Sequence, residues 1–271
     1  MPVTTDSFDG FVCRDELATF VANAAVGGAP FARALTPLPT TRGGVAFPVV
    51  SPDSFGWVSE GGAIPEVNLH DDSYVVAVAK LAGLVTMSSE FVDDAELPLS
   101  QLLADAVADS MGPALDFGLL FGSGAPEPLG IIAAAIESTI GPDFRSSVIN
   151  AFGELIDRGA NAESIVAFAS GSVVAYELGR TNDHGTPIHQ DGAQAMLGPS
   201  IRLIAIPSLS AGETLVADVS RLFLVLRDDF EAKFSDHAGF KTDEVVMRVK
   251  GRFTVACPTP AKALRVIPNA S

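Results

Sequence analysis

The spacing of hydrophobic and polar positions changes along this chain, and the changes divide it. In the first half of the stretch Pro98–Gly130 the period is helical: Leu99, Leu102, Leu103, Ala106, Val107 and Ser110 share the i, i+3, i+4, i+7 offsets of one buried face. Asp105, Asp109 and Asp116 form a second stripe on the same helix. Pro98 suits a first turn, where a missing N–H loses no intrahelical bond. Gly112-Pro113 predicts a bend or a restart, because Pro113 cannot donate and its ring crowds the preceding turn. The run FGSGAPEPLGII (121–132) then predicts a turn held by glycine and proline.

Period two rules the C-terminal part. In Val245–Cys257, Val245, Met247, Val249, Gly251, Phe253 and Val255 share one strand face, and Val246, Arg248, Lys250, Arg252, Thr254 and Ala256 the other. Pro258 and Pro260 end that strand. Val45–Val50 and Tyr74–Leu81 predict two more strands, the second running on through Met87. Trp57 lies in the long turn-rich stretch between them, a length that asks for a function. Ser88 and Glu90 predict a helix start.

Between Ile131 and Phe230 helices and strands alternate. Ser146-Ser147 cap a helix whose face is Val148, Ile149, Phe152, Leu155 and Ile156, with Gly159 as its stop. Ser170 caps a shorter one ending near Gly179. Strands are expected at Ser164–Ala169, Ile201–Ile206, Leu215–Val219 and Leu222–Leu226, and a polar loop over 181–198. Residues 1–42 read as an arm. Asp15–Ala25 predicts a short helix with Leu17, Phe20, Val21 and Ala24 on one side, and Gly27-Gly28, Pro30, Pro37 and Pro39 keep the rest of the arm extended. So little apolar surface needs another surface to order it.

Composition narrows the function. A 271-residue chain forms one or two domains, and 48% apolar residues with a mean hydropathy of +0.33 exceeds what a monomer's core needs, which points to interfaces. No apolar run approaches the ~18 residues of a membrane span, and residues 1–12 lack the basic and apolar regions of a signal peptide. With 33 acidic against 17 basic residues the net charge is −16, which argues against a surface that grips nucleic acid. Cys13 and Cys257 form no zinc motif and read as buried thiols. His184 and His189 are poorly spaced for a metal, and His70 and His237 stand alone. Gly122-Ser123-Gly124 has no Gly-Lys-Ser/Thr end for phosphate and comes after a helix, where a nucleophile turn would come after a strand. No catalytic, cofactor-binding or metal residue is assigned.

Several blocks carry a family resemblance. The run DFGLLFGSGAPEPLGI from Asp116 resembles the end of the spine helix and the adjoining turn of tailed-phage major capsid proteins, which have the Hong Kong 97-type fold shared with encapsulin shells. WVSEG at Trp57–Gly61, VTMSSEFVDDA at 85–95 and the block from Asp218 to Pro258 resemble the hairpin, the step before the spine and the return strands of that family. The resemblance implies an α+β fold: an N-terminal arm (1–42), an extended hairpin loop (43–80), a peripheral domain with the spine helix (81–125), an axial domain (126–229) and return strands of the peripheral domain (230–271). It implies a virion shell built from pentamers and hexamers of this chain, assembled in the host cytoplasm, enclosing double-stranded DNA without sequence-specific binding and without a membrane.

A portal, a separate scaffolding protein and a cement protein are the implied partners; the scaffold is expected as a separate protein because no long helical segment precedes the arm. No lysine precedes Lys80, so the lysine–asparagine cross-link known in some relatives is not expected through the hairpin. The expected subunit-interface residues are Trp57 and Glu60 on the hairpin, Asp105, Asp109 and Asp116 on the spine, and Arg248, Lys250 and Arg252, the acidic stripe facing the basic row within or between subunits. The alternatives are an encapsulin-type nanocompartment and a soluble α/β enzyme with a site near Gly122.

Overall fold

The computed structural model describes residues 27–48, 57–63, 73–90, 97–181, 195–197, 201–209, 213–239 and 242–268. The expected helix over 15–25, Cys13, His70, His184, His189 and most of the 181–198 loop lie outside them. In chain order the elements are helix α1 (Pro30–Ala34), strands β1 (Thr36–Pro39), β2 (Gly44–Phe47), β3 (Tyr74–Ala77) and β4 (Ala79–Ser88), the spine helix α2 (Leu97–Phe121), and β5 (Ile136–Glu137). Then come α3 (Phe144–Asp157), β6 (Ile165–Ala169), α4 (Gly171–Leu178), β7 (Ala195–Leu197), β8 (Ile201–Ala205) and β9 (Thr214–Asp218). Strands β10 (Phe223–Gly239) and β11 (Glu244–Ala256), helix α5 (Pro260–Ala263) and β12 (Leu264–Ile267) complete the order.

Three sheets result, ordered β1-β10-β11-β4, β5-β12-β9-β6-β8-β7 and β2-β3. The chain passes from the small sheet to the four-stranded one at Val78, whose N–H bonds the Gly43 carbonyl at 2.9 Å, so the single strand expected over 74–87 is two. The period of β11 holds: Val245, Met247, Val249, Phe253 and Val255 are buried while Arg248 is exposed. Near its end Thr254 and Ala256 are buried too, Ala256 beneath Val76 and Val225. Strand β6 is buried on both sides. Val166 and Phe168 join the core under the spine, and Ile165, Ala167 and Ala169 the core under α3.

Three expectations are corrected. The spine does not restart at Pro113 but continues through it as one helix, and the Pro113 carbonyl accepts from the Ser208 hydroxyl at 2.9 Å. Its buried face is Ala104, Val107, Ala108, Met111, Leu115 and Leu119, rotated from the expected one; Leu102 is 65% exposed. The rotation comes from what covers the helix, the arm and two sheets rather than one apolar layer. The cap of α3 is Asp143, which accepts from the Ser146 N–H at 2.7 Å, ahead of the serines expected to begin that helix. Gly159 does stop α3, at φ +83°, a conformation that costs only glycine nothing.

The expected boundary at 229/230 falls inside β10, and β12, expected among the return strands, lies in the six-stranded sheet between β9 and β5. The C-terminal strand thereby completes a sheet that begins at Ile136, so that sheet draws on both sides of the expected boundary. The end of the expected 181–198 loop is itself an edge strand, β7.

Cys257 is buried, and burial pushes its thiol up to about 12. At pH 8 the thiolate is then about one part in 10⁴. Maleimide treatment of the folded chain at that pH should leave the Cys257 peptide unmodified, and the same treatment in denaturant should modify it fully. Rapid labelling of the native chain at Cys257 would refute this burial.

Candidate assembly surfaces

The spine helix is the frame on which the other surfaces are hung. Asp116 interrupts the apolar run Leu115–Phe121, and it is fully buried. Its two carboxylate oxygens accept the N–H groups of Phe31 at 2.9 Å and Ala32 at 3.0 Å, the otherwise unpaired donors of the first turn of α1. Pro30 occupies the start of that turn, where a donor would find no partner anyway. Burial outweighs the two N–H bonds and pushes the Asp116 carboxyl up to about 6. Beside this lock the arm and spine touch backbone to backbone: a Cβ on Gly112 would overlap the backbone of Gly28. The Phe31 ring meets Phe168 edge-on at 5.2 Å, and β1 then adds parallel to β10. One carboxylate thus holds the arm to the spine and sets where it joins the sheet.

The turn after the spine is equally closed. Gly130 N–H bonds the Gly122 carbonyl at 2.8 Å, Ile131 N–H bonds Leu119 at 3.1 Å, and Ser123 pairs with Leu129. A Cβ on Gly122 would overlap the Pro128 carbonyl, so backbone packs directly on backbone there. Apolar clefts of about 310 Å³ and 240 Å³ flank Pro126 to Pro128, the first with Leu115, Phe117 and Phe253, the second with Tyr74, Val76 and Leu129. Phe117, Leu129 and Val75 are exposed there.

Buried polar groups fasten the six-stranded sheet. Arg265, fully buried on β12, donates to Glu154 of α3 at 2.9 Å and to the carbonyls of Ala261 and Leu264. Glu154 also accepts from Ser138 and Thr139. Its own burial raises the carboxyl, but the bonds from Thr139, Arg265 and Ser138 outweigh this and hold it low. Asp218 accepts from the Ser164 and Ser220 hydroxyls, each at 2.6 Å, the Asn161 and Ser220 N–H groups, and Arg221. Burial opposes its charge, yet these donors hold its carboxyl low as well.

The structure does not bring the acidic stripe to the basic row within the chain. Asp116 is sealed against the arm and offers no surface to a neighbour, which corrects its assignment as an interface residue. Lys250 pairs with Glu231 at 3.0 Å and Arg252 with Asp228 at 3.0 Å, both across β10 and β11. Adjacent strands supply nearer carboxylates than the helix can. Asp105, Asp109 and Arg248 remain exposed, as do Trp57, at 107%, and Glu60. Asp116 and Arg265 are structural fasteners that sequence reasoning missed. The signal for both is a charge embedded in an apolar string, PALDFGLLF and ALRVI, which demands a buried partner.

Comparison with known proteins gives a consistent picture. A model described as the phage capsid family matches residues 10–266. A solved structure from Mycobacterium phage Bobi is 20% identical, covers 90% of this chain and 91% of that chain, and superposes with a TM-score of 0.70. The capsid of a native GTA particle is 14% identical over 100% of this chain and 95% of that chain, with a TM-score of 0.65. A virus-like particle from Pyrococcus furiosus is 12% identical over 93% and 97%, with a TM-score of 0.64. No curated protein matches.

Proposed function

The chain belongs to the phage capsid family, and on that premise we propose that its hairpin tip is the knob by which one subunit grips the next. The protein is a capsid shell protein of the virion with the α+β Hong Kong 97-type fold, and it self-assembles. Membership of this family implies a structural role, and it does not favour the nanocompartment reading. Among the described residues no helix is long and apolar enough to cross a membrane.

The observation that carries the reading is the exposure of Trp57. Its side chain is fully exposed, although tryptophan has among the largest apolar areas to bury. Val58 and Glu60 are exposed with it. In the assembled shell this tip supplies the aromatic anchor, with Glu60, Asp105, Asp109 and Arg248 as polar contacts between subunits. The unit of assembly is the pentamer and hexamer, and the shell encloses double-stranded DNA. A scaffolding protein, a portal and a cement protein are its partners. The arm (1–42) and hairpin (43–80) interlock subunits, while the spine and four-stranded sheet form the peripheral part and the six-stranded sheet the axial part.

Negative-stain microscopy with sedimentation of the purified chain tests the reading, with and without its scaffold. Shells, tubes or rings of five or six support it; a monomer or dimer that persists at high concentration refutes it. Trp57→Ala should leave subunit unfolding unchanged. It should reduce assembly roughly thirtyfold at limiting concentration, the effect of losing a ~2 kcal/mol anchor. Unchanged assembly would remove Trp57 from the interface.

A further inference from the structure

The cleft of about 310 Å³ beside Pro126–Pro128 is lined by Leu81, Leu115 and Phe253, with Phe117 half exposed at its mouth. Lys80 and Glu127 are the charged residues that line it, and both are exposed. Lys80 forms no ion pair with another described residue. The hairpin tip has a shape of its own. The Gly62 N–H bonds the Ser59 carbonyl at 2.9 Å and Gly61 takes φ +80°, so residues 59–62 close a tight turn that presents Glu60 just after Trp57. Trp57 is fully exposed, so it does not fill the cleft of its own chain.

We propose that this cleft is the socket for the hairpin tip of a second copy of the chain, Trp57 entering beside Phe117 and Glu60 lying against Lys80. The inference rests on the reading of Trp57 as the anchor between subunits and adds the surface that receives it. The first argument is apolar area. An exposed indole and an open apolar cleft each leave in water a surface that the other covers. The second is the polar handle. Indole carries one N–H donor, and Glu127 supplies an acceptor at the cleft. The third is charge. Glu60 follows Trp57 by three residues and Lys80 lines the cleft, so opposite charges meet beside a buried aromatic, the arrangement of an anchor with a polar rim. Tip and cleft are different surfaces of the chain. The contact is therefore head to tail, the kind that generates rings when its rotation closes.

Trp57 is the chain's single tryptophan, so its fluorescence reports its own surroundings. The test reads the emission of the purified full chain across its assembly concentration, with sedimentation alongside. The wild-type emission should move to shorter wavelength as assembly proceeds. Ala114→Phe, at an exposed position of the spine that lines the cleft, fills the socket. It should abolish that shift and reduce assembly at limiting concentration at least about tenfold. Glu60→Lys and Lys80→Glu should each weaken assembly about fivefold, and the two together should return it to within about twofold of wild type. The two changes move the net charge in opposite directions, so a general charge effect cannot weaken both and spare the pair. A shift that survives Ala114→Phe with normal assembly keeps Trp57 in the interface and overturns the socket alone. Losses that simply add in the charge swap overturn it too, as does an emission already blue-shifted in the dilute subunit, which places the indole within its own chain. No shift in the wild type at any concentration overturns both the socket and the reading on which it rests.

Discussion

Asp116→Ala should free the arm from the spine and destabilise the subunit by about 2–5 kcal/mol, because two buried backbone donors lose their acceptors at once. Hydrogen exchange locates the effect. Protection of the Phe31 and Ala32 amides should collapse, whereas that of β11 should track global stability alone. Assembly should fail with it, since β1 is carried to β10 by the same segment. Retained protection at Phe31 and Ala32 would show that the Gly28–Gly112 contact holds the arm without the carboxylate.

The same group makes stability depend on pH in an unusual direction. Its carboxyl rises from an ordinary 3.8 to about 6 on folding, so the folded chain keeps a proton that the unfolded chain has lost. The stabilisation is complete below about pH 3.8 and is lost as pH rises through about 6, a decline of ~3 kcal/mol. Glu154 and Asp218, both held low, act oppositely and lose their contribution as pH falls. The isolating measurement is therefore the difference between wild type and Asp116→Asn in denaturant unfolding from pH 4 to 7.5. That difference should shrink or reverse as pH rises, and a flat difference would show that Asp116 does not titrate in this range.

Glu154→Ala is the second large effect, expected to cost about 3 kcal/mol. It strands the fully buried guanidinium of Arg265, which cannot deprotonate to escape the penalty. Arg265→Met should cost less, although it removes the same ion pair. The carboxylate left behind is 32% exposed and can turn to water, and methionine fills the apolar space. Equilibrium unfolding of the two variants gives the ordering, and Arg265→Met as the costlier change would contradict this account of the pair. The surface pairs Lys250–Glu231 and Arg252–Asp228 should contribute no more than about 1 kcal/mol each.

Much of the fold is legible from local pattern. The alternation from Val245 onward places the buried face of β11 residue by residue, because a strand's period is two whatever packs on it. The helical period gives the spine's existence, and glycine gives the ends of α3 and α4. The motifs at Trp57, Asp116 and Asp218 are local strings too, which is why the family and the shell role could be read before any coordinates.

Phase and partnership are different in kind. Which side of the spine is buried, whether Asp116 faces solvent or the arm, and which sheet takes β12 all depend on segments remote in the chain. Phe31 and Asp116 are 85 residues apart, and Glu154 and Arg265 are 111 apart. A periodic string carries its repeat, but not the identity of what will cover it. Local sequence therefore carries the elements, their buried periods and the family. That one buried aspartate fastens the arm, and that the basic row is matched by its neighbouring strand, are properties of the folded chain alone. Desolvated charges are settled by whichever partner the fold brings within hydrogen-bonding distance.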